Sequence, residues 1–413
     1  MPESWSRPSV PDLPGAGHAP HLHDTATNRL LCSEPNDVVA RLYVCGITPY
    51  DATHIGHANT YLAFDTLQRA WLDAGVEVHY AQNITDVDDP LLERAVESGV
   101  DWRELADRQI QLFRDDMAAL RILPPQDYVA VTEVIDEIAD AVATLLERGT
   151  AYRVPTADAE TDDVYFDVAE AGHTSPWRIG EESNLDREQM LTLSAERGGD
   201  PDRAGKRDPL DPLLWRAARA GEPSWPSVLG SGRPGWHIEC SVIALKYLGH
   251  DFTVQGGGAD LIFPHHDLSA GHAAALSRHP LAKVYSHAGL VAYQGEKMSK
   301  SLGNLVLVSE LRERGVPADG IRLALLAHHY RDEWEWTEQG LQDALNRLDA
   351  WRGIQPNPRG WAALDVLQRV RDRLADDLDT PGAVAAVDQA ARDGVDDPAL
   401  IRSLVDALLG IAL

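Results

Sequence analysis

The sequence predicts an α/β protein in which a parallel sheet is followed by a domain made of helices. Residues 38–45 and 76–84 are short apolar runs typical of buried strands, and residues 54–74 between them repeat apolar side chains at helical spacing. A strand, a helix and a strand of these lengths form a β-α-β unit, whose strands are parallel and whose crossover is right-handed. Residues 308–413 carry leucines at helical spacing, so the rest of the chain is expected to be almost all helix.

The elements between these regions follow from the same kinds of signal. Residues 91–120 are predicted to be mostly helical, and an amphipathic helix is predicted from Thr132, as its N-cap, to the residues before Gly149. Short strands mixed with acidic, glycine-rich loops then indicate an insertion. The α/β pattern is expected to return at residues 213–215.

These changes of pattern divide the chain into four parts. The predicted parts are an N-terminal arm over residues 1–36, an α/β domain over 37–305 with the insertion at about 121–209, linker helices over 306–345 and a helical bundle over 346–413. Pro356 and Pro358 mark a joint within the helical tail.

Composition limits the classes of function. The 413 residues include 37 Lys and Arg against 65 Asp and Glu, a formal charge of −28, so nucleic acid is not expected as a partner. No apolar run approaches the roughly 18–20 residues that cross a bilayer, and the first residues lack the apolar core of a secretory signal. Three cysteines are too few for a disulfide scaffold. We therefore expect a cytoplasmic protein without a membrane partner, and a monomer.

The first chemical motif is His54-Ile55-Gly56-His57, at the predicted start of a helix. The first amides of a helix have no partner within it and lie at the positive end of its dipole, which suits a phosphate. His54 and His57 are three residues apart and so share one face of the helix. Taken alone, the four residues also fit a helix cap and a surface histidine.

The second motif is Lys297-Met298-Ser299-Lys300-Ser301, between two glycines. Two lysines on such a loop can close over a leaving pyrophosphate and neutralise its charge, although a solvated basic loop is the alternative. In this order, on a divided α/β domain, the two motifs resemble the ATP-binding motifs of class I aminoacyl-tRNA synthetases. The resemblance implies a Rossmann-like class I synthetase catalytic domain that activates an amino acid as its adenylate, with a stem-contact-like region at 306–345.

Cysteine and histidine side chains form a second group of candidates. Cys45 follows the first predicted strand, Cys240 lies far along the chain, and His265 and His266 are adjacent. Thiolate and imidazole are the usual ligands of zinc. Each cysteine alone also fits a small buried hydrophobe, and the spacing is not that of a compact zinc finger.

The stretches around these residues carry a longer resemblance, which runs from about residue 24 to residue 304. The stretches that resemble cysteinyl-tRNA synthetase are residues 43–48, 83–89, 206–211, 235–240 and 256–266. In that family a zinc ion binds the thiolate of the substrate cysteine. The resemblance implies one zinc ion per chain, held by Cys45, Cys240 and His265.

Three departures separate the chain from that synthetase. Ser269 stands where the synthetase has a glutamate as its fourth zinc ligand, so three protein ligands leave a position open for the incoming thiolate. The insertion contains Glu196-Arg197-Gly198-Gly199-Asp200-Pro201, and the tail holds few basic residues and no aromatic cluster for base stacking, unlike an anticodon-reading region. These features are similar to those of a sister family, the mycothiol-pathway ligases that join L-cysteine to glucosaminyl-inositol. A compact cysteinyl-tRNA synthetase and an inactive paralogue used for binding are the alternatives.

The resemblance implies a two-step reaction of L-cysteine, ATP with Mg²⁺, and glucosaminyl-inositol. His54 and His57 would hydrogen-bond the phosphates of ATP, and Lys297 and Lys300 would neutralise pyrophosphate. Asp260 is the candidate base for the sugar amine, with hydrogen bonding to the ribose or the loop as its alternative. The residues implied to hold the adenylate are Cys45, Gly46, Ile47, Thr48, Thr60, Asn83, Ile84, Thr85, Trp236, Gly258, Ala259, Asp260 and Val291. Trp236 also fits plain core packing.

Overall fold

The computed structural model describes residues 3–35, 38–50, 53–298 and 303–413, except for the side chain of Lys297. The strands in these ranges are β1 (His21–Asp24), β2 (Arg29–Cys32), β3 (Val39–Val44), β4 (Glu77–Ile84), β5 (Asp127–Ala130), β6 (Ala151–Val154), β7 (Asp163–Phe166), β8 (Leu213–Ala217), β9 (Gly232–Pro234), β10 (Phe252–Gly258), β11 (Ala282–Ala288), β12 (Val291–Tyr293), β13 (Glu296–Lys297), β14 (Trp334–Glu335) and β15 (Pro356–Trp361). The α-helices are α1 (Ile55–Asp73), α2 (Asp89–Ser98), α3 (Trp102–Ala119), α4 (Ile135–Glu147), α5 (Val168–Thr174), α6 (Arg187–Glu196), α7 (Trp236–Leu248), α8 (Asp267–Ser277), α9 (Val308–Glu313), α10 (Ala318–Leu326), α11 (Glu338–Arg352), α12 (Ala363–Ala375), α13 (Thr380–Asp393) and α14 (Pro398–Leu409). Within the described ranges, no helix is both long and apolar enough to cross a membrane.

The central sheet has five strands in the order β11-β10-β3-β4-β5, and every neighbouring pair is parallel. This arrangement confirms the predicted α/β class. Strand β3 lies between β4, the next strand along the chain, and β10, which comes much later. The strand order therefore changes direction at β3, and open α/β sheets bind their ligands beyond the carboxyl ends of the strands at such a point.

Helix α1 connects β3 to β4, which confirms the predicted β-α-β unit. Phe64, Leu67 and Trp71 of α1 are buried. The helix contacts the sheet strands and also α12 and α14 of the tail. It is therefore enclosed on two sides, and its first turn lies at the edge of the sheet where ligands are expected.

The insertion forms a second, antiparallel sheet in the order β6-β7-β8-β9. The expectation that 213–215 returns to the α/β pattern is wrong, because these residues belong to β8 of this sheet. Leu214 and Trp215 are fully buried, and a short buried run gives the same apolar pattern in either kind of sheet. The antiparallel sheet spans residues 151–234, later at both ends than the expected insertion at about 121–209, and the domain boundaries remain predictions.

Two helix predictions need correction. The stretch 91–120 is interrupted by Gly99, which ends α2 in the left-handed conformation with φ of 67°. Thr132 is not the N-cap of α4, because its amide and hydroxyl donate to the carboxylate of Asp86 at 3.0 and 2.5 Å. The threonine therefore ties the start of this region to the loop that follows β4.

A buried ion cluster joins α1 to the helical tail. The carboxylate of Asp65 accepts hydrogen bonds from Arg69, from Arg322 of α10 and from the amide of Leu123. Arg69 also donates to the carbonyls of Asp406 and Ala407 at 3.0 and 3.1 Å. Both guanidinium groups are almost wholly buried, so the single carboxylate compensates two buried positive charges.

Replacing Asp65 with asparagine should strongly destabilise the protein. The variant leaves two buried guanidinium groups without a counter-charge, so we expect the free energy of unfolding to fall by about 3–5 kcal/mol in urea titrations at pH 7. Glu338→Gln, which breaks an exposed pair with Arg314, should cost less than about 1 kcal/mol. Similar losses in the two variants would contradict the assigned role.

The pH dependence of stability tests the same cluster. Burial opposes ionisation of Asp65, but Arg322 and Arg69 lower its pKa below the ordinary value. Its contribution is therefore present above the pKa of an unfolded aspartate, about 4, and is lost as the pH falls through the lowered folded value. Asp65→Asn should accordingly weaken the loss of stability measured in acid.

Candidate active site

A cavity of about 400 Å³ opens beyond the carboxyl ends of β3, β4 and β10, where the strand order changes direction. The predicted site residues that line it are Cys45, Gly46, Ile47, Thr48, His54, His57, Thr60, Asn83, Thr85, Trp236, Cys240, Gly258, Asp260, His265 and Val291. Ile84 and Ala259 are not among the lining residues. Side chains alternate along a strand, so Ile84 is directed away from the side that Asn83 and Thr85 share and is fully buried. Ala259 begins the helical turn after β10.

Two thiols and an imidazole meet at this cavity from three separate elements. Cys45 follows β3, Cys240 lies on α7, and His265 lies in the turn between β10 and α8. The Sγ atoms of Cys45 and Cys240 are 3.8 Å apart, and Nε2 of His265 is 3.3 Å from Sγ of Cys240. All three residues are buried, and their ligand atoms lie within 4.8 Å of one another.

These three donors fit a zinc ion. Two Zn–S bonds of about 2.3 Å that meet at a tetrahedral angle place the sulfurs about 3.8 Å apart, which is the separation found here. Thiolates and imidazole are also the donors that zinc prefers over harder cations. The hydroxyl of Ser269 donates to the carbonyl of His237 at 3.0 Å, so it is engaged with the protein backbone.

The pKa values of the two buried thiols shift in opposite directions. Burial opposes ionisation of Cys240, but the hydrogen bond from the Cys45 thiol and the nearby His265 lower its pKa well below the usual value. Burial and the neighbouring Cys240 raise the pKa of Cys45. A divalent cation held by these residues would allow both sulfurs to be thiolates, because metal ions bind the deprotonated form of a thiol.

His237, which the sequence analysis did not single out, orients His265. Their Nδ1 atoms are 3.0 Å apart, and His265 directs its Nε2 to Cys240, so we assign the proton of this hydrogen bond to Nδ1 of His265. Burial and the neighbouring His265 lower the pKa of His237 well below its usual value, so the ring is neutral and accepts. Its position three residues before Cys240, on the same helix face, was an available signal.

The two adjacent histidines serve different thiols. Nε2 of His266 is 3.2 Å from Sγ of Cys45, and Nδ1 of His266 is 2.7 Å from Nε2 of His287 on β11. Gln255 of β10 also directs its amide nitrogen to Cys45, at 3.5 Å. His265 thus belongs with Cys240, whereas His266 and Gln255 hold Cys45 in position.

The start of α1 combines a helix cap with a neutral histidine. Nδ1 of His54 accepts hydrogen bonds from the amides of Gly56 and His57 at 3.1 and 3.4 Å. The expectation that these amides have no partner is therefore wrong, and His54 is the helix cap that the alternative described. The rings of His54 and His57 stack with centroids 3.8 Å apart. Burial lowers the pKa of His57 to about 4, so its ring is neutral at pH 7.

Asn83 fixes the wall between β3 and β4. Its Oδ1 accepts from the amide of Gly46 at 2.8 Å and from the hydroxyl of Tyr43 at 3.1 Å, and its Nδ2 donates to Thr85 at 3.1 Å. A Cβ at position 46 would lie 1.6 Å from the carbonyl oxygen of Asn83, so only glycine fits there. The backbones of the two strand ends can therefore approach closely.

Arg197 connects the insertion to the loop that carries Asp260 and His265. Its Nη1 donates to the carbonyl of Asp260 at 2.6 Å and to the carbonyl of Phe263 at 2.5 Å. Arg197 directly follows α6, within the Glu-Arg-Gly-Gly-Asp-Pro stretch. One guanidinium thus holds both ends of the turn before His265.

Of the two predicted lysines, the structure describes the backbone of one and no part of the other. Lys300 lies outside the residues that the structure describes. Lys297 is in β13, which pairs antiparallel with β12, and its side chain is not described. Met298, the next residue, is buried and lines the cavity, so the segment that carries Lys297 reaches the cavity wall.

Six further lining residues were not singled out from the sequence. They are Tyr50, Tyr61, Leu261, Gly289, Leu290 and Leu305. The hydroxyl of Tyr61 donates to the carbonyl of Cys45 at 3.1 Å, and its position four residues after His57 was an available signal. Gly289 and Leu290 follow β11, so the rule that ligands lie beyond the carboxyl ends of strands would have indicated them.

Comparison with known proteins places this geometry in a family. The sequence model for the "tRNA synthetases class I (C) catalytic domain" matches residues 32–346. A methionyl-tRNA synthetase of Mycobacterium tuberculosis in complex with methionyl-adenylate aligns with a TM-score of 0.58 at 16% identity, over 86% of this chain and 81% of that one. A leucyl-tRNA synthetase of Agrobacterium radiobacter, in a ternary complex with tRNA, aligns with a TM-score of 0.60 at 13% identity, over 92% and 84%. These two structures support the fold alone.

Sequence relatives extend the match to nearly the whole chain. A protein of Clavibacter michiganensis is 61% identical over 99% of this chain and 98% of its own length. A protein of Thermobispora bispora is 61% identical over 99% and 100%. Both are named L-cysteine:1D-myo-inositol 2-amino-2-deoxy-alpha-D-glucopyranoside ligase. The chain therefore belongs to the family of these ligases, and its catalytic domain is of the class I tRNA-synthetase type.

Proposed function

We propose that this protein joins the carboxyl group of L-cysteine to the 2-amine of glucosaminyl-inositol, using ATP and releasing AMP and pyrophosphate. The reaction is a step of mycothiol biosynthesis. The observation that carries this proposal is the group formed by Cys45, Cys240 and His265, which lines the same cavity as the histidines of α1. The relatives that bear the ligase name support the sugar acceptor, and a cysteinyl-tRNA synthetase is not favoured.

The first step is adenylation. A carboxylate oxygen of cysteine attacks the α-phosphorus of ATP, the bond from that phosphorus to the bridging oxygen breaks, and pyrophosphate leaves. The protein positions the two reactants and stabilises charge, and it supplies no nucleophile. Neutral His57 is suited to donate a hydrogen bond to a phosphate, and His54 holds the helix end beside it. Lys297 and Lys300 would neutralise the leaving pyrophosphate.

Cys45, Cys240 and His265 would hold a zinc ion, with His237 and His266 orienting the ligands. Such an ion supplies selective binding of a thiolate, which a serine hydroxyl cannot match. Mg²⁺ would accompany ATP. Around the amino acid, Thr48, Asn83, Thr85 and Trp236 offer polar groups and an indole wall.

The second step is attack of the sugar amine on the carbonyl carbon of the adenylate. The bond from that carbon to the AMP oxygen breaks, the nitrogen loses a proton, and an amide and AMP result. We propose Asp260 as the group that takes the proton, because it lines the cavity and its loop is held by Arg197. We also propose that the enzyme acts as a monomer.

A comparison of acceptors tests the proposed function directly. With ATP and cysteine present, glucosaminyl-inositol should drive continuous release of AMP, whereas tRNA should not. Cysteine-dependent exchange of labelled pyrophosphate into ATP should occur even when both acceptors are absent, because the first step needs no acceptor. Release of AMP driven by tRNA but not by the sugar would contradict the proposal.

Cys240→Ala should abolish metal binding and cysteine activation together. Removing one of two sulfur ligands leaves a site too weak to retain zinc through purification. We expect the zinc content, measured by elemental analysis, to fall from about one ion per chain to near zero. The matched control is Cys32→Ala, which alters an exposed cysteine on β2 and should change neither quantity. A zinc-free variant that activates cysteine at the normal rate would show the metal assignment to be wrong.

Arg197→Met should impair the site from a distance. The variant keeps the side-chain length but leaves the carbonyls of Asp260 and Phe263 without their donor, so the turn that carries His265 loosens. We expect KM for cysteine in the exchange reaction to rise about tenfold, equivalent to roughly 1.4 kcal/mol, and zinc to dissociate faster. Arg203→Met, which removes contacts to Thr156 and Asp163 within the insertion, is the control and should change neither. Equal effects of the two variants would mean that Arg197 has only a general structural role.

A further inference from the structure

A second groove, of about 1300 Å³, lies between helices α2 and α3 on one side and the loop joining β8 to β9 on the other. Two indoles, those of Trp102 and Trp225, lie in its lining together with the carboxylates of Glu93, Glu97 and Asp101. The adenylation step uses none of these residues. The groove is open to solvent, and its chemistry differs from that of the cavity that holds the thiols.

Two chain segments run from the reaction cavity to the groove. Thr85 lines the cavity, and Asp89, four residues further along, lines the groove. In the second segment, the buried Arg233 pairs with Asp89 and Glu222 of the groove. Trp236, three residues after Arg233, lines the cavity. Four residues span at most about 14 Å and three at most about 11 Å, so the two linings lie near each other along both segments.

A small apolar cluster contacts one residue of each site. Tyr50 of the cavity and Trp102 of the groove both pack against it. The members of the cluster are Leu91, Ala95, Leu105 and Ala106. The cluster therefore fixes Tyr50 of the cavity and Trp102 of the groove relative to each other.

The volume of the reaction cavity requires a separate place for the acceptor. At about 400 Å³ the cavity lies near the lower end of the roughly 300–1000 Å³ range of sites for one small ligand. A cysteinyl-adenylate of nucleotide size occupies most of that space. Only the amine of the acceptor needs to enter, and the rest of the sugar must lie in an adjoining depression.

The lining of the groove suits a polyhydroxylated ring that carries a cation. The two indoles are half-buried and meet edge to face, with ring centroids 6.4 Å apart, and the guanidinium of Arg103 lies 4.2 Å from the ring centroid of Trp102. The apolar surface offered to the C–H face of a sugar ring therefore comes mainly from Trp225, with Trp102 beside it. Carboxylates accept hydrogen bonds from hydroxyls, and their negative field attracts an ammonium group from solution. Arg216 holds Glu222 through two hydrogen bonds of 2.8 and 2.9 Å, which fixes the loop between β8 and β9.

We propose that this groove binds the sugar acceptor, with the inositol ring against Trp102 and Trp225 and the glucosamine amine directed past Trp236 to the adenylate. The inference rests on the proposed function and names the acceptor subsite of that reaction. The acidic rim, formed by Glu93, Glu97 and Asp101, draws in the protonated amino sugar, whose ammonium group gives one proton to solvent before the amine attacks.

Trp225→Ala tests this assignment by separating the two half-reactions. We expect KM for glucosaminyl-inositol, measured by AMP release, to rise at least about tenfold, as for loss of a buried aromatic anchor. Cysteine-dependent pyrophosphate exchange should stay within about twofold of the unaltered protein, since the first cavity is intact. Trp361→Ala is the matched control, because Trp361 is also a half-buried indole, and a guanidinium lies over its ring as one lies over that of Trp102. Trp361 belongs to the tail, so its replacement should change neither the KM for the sugar nor the exchange rate.

A second variant keeps the test valid if Trp225→Ala disturbs the fold. Glu93→Gln combined with Glu97→Gln alters two exposed side chains, and it should raise the KM for the sugar and weaken the dependence of that KM on salt. A normal exchange rate with an unchanged KM for the sugar in both variants would overturn the assignment. Failure of the unaltered protein to release AMP with the sugar would instead contradict the proposed function itself.

Discussion

The parallel pairing of β3 with β10 is the constraint on which the whole site depends. The end of β3 delivers Cys45, whose amide bonds to the carbonyl of Gly256 on β10, and the end of β10 leads into the turn that carries His265. Helix α7 packs on β3 and adds Cys240. A shift of one residue in this register would turn every side chain to the opposite face. The donor set is therefore a product of the sheet topology, and no short segment of the chain contains it.

Helix α1 sets the distance between the two chemistries of the cavity. Its first turn holds His54 and His57 on the side proposed for the phosphates. One turn later, the hydroxyl of Tyr61 is bonded to the carbonyl of Cys45, beside the thiol group. Because both contacts come from one rigid, buried helix, the site proposed for the amino-acid side chain and the site proposed for the phosphates keep a fixed separation. A cysteinyl-adenylate carries an amino-acid side chain at one end and a nucleotide at the other. Helix α1 would therefore set the spacing of the two sites that the proposed intermediate occupies.

Much of the fold and many site positions could be predicted from the sequence, because buried strands, helix spacing and punctuating glycines are local signals. The resemblance to synthetases indicated fifteen residues that line the cavity, including the thiols that the structure places 3.8 Å apart. Local signals gave wrong predictions where contacts between residues distant in sequence determine the strand pairing or the hydrogen-bond partner. Leu214 and Trp215 have the apolar pattern of any buried strand, so the antiparallel pairing of β8 was not visible. The cap formed by His54 and the bond from Thr132 to Asp86 depend on side-chain directions, which spacing alone does not define. His237 and Arg197 act through contacts with residues distant in sequence.

The ion cluster around Asp65 has a consequence for how the protein matures on the ribosome. Arg69 of α1 donates to the carbonyls of Asp406 and Ala407, and Arg322 donates to that of Leu409. Until those residues have left the exit tunnel, both cations lack part of their hydrogen bonding, and α1 lacks these contacts with the tail. A chain that stops before α14 therefore lacks the carbonyl groups that satisfy Arg69 and Arg322, and its α1 is held less firmly than in the full-length protein.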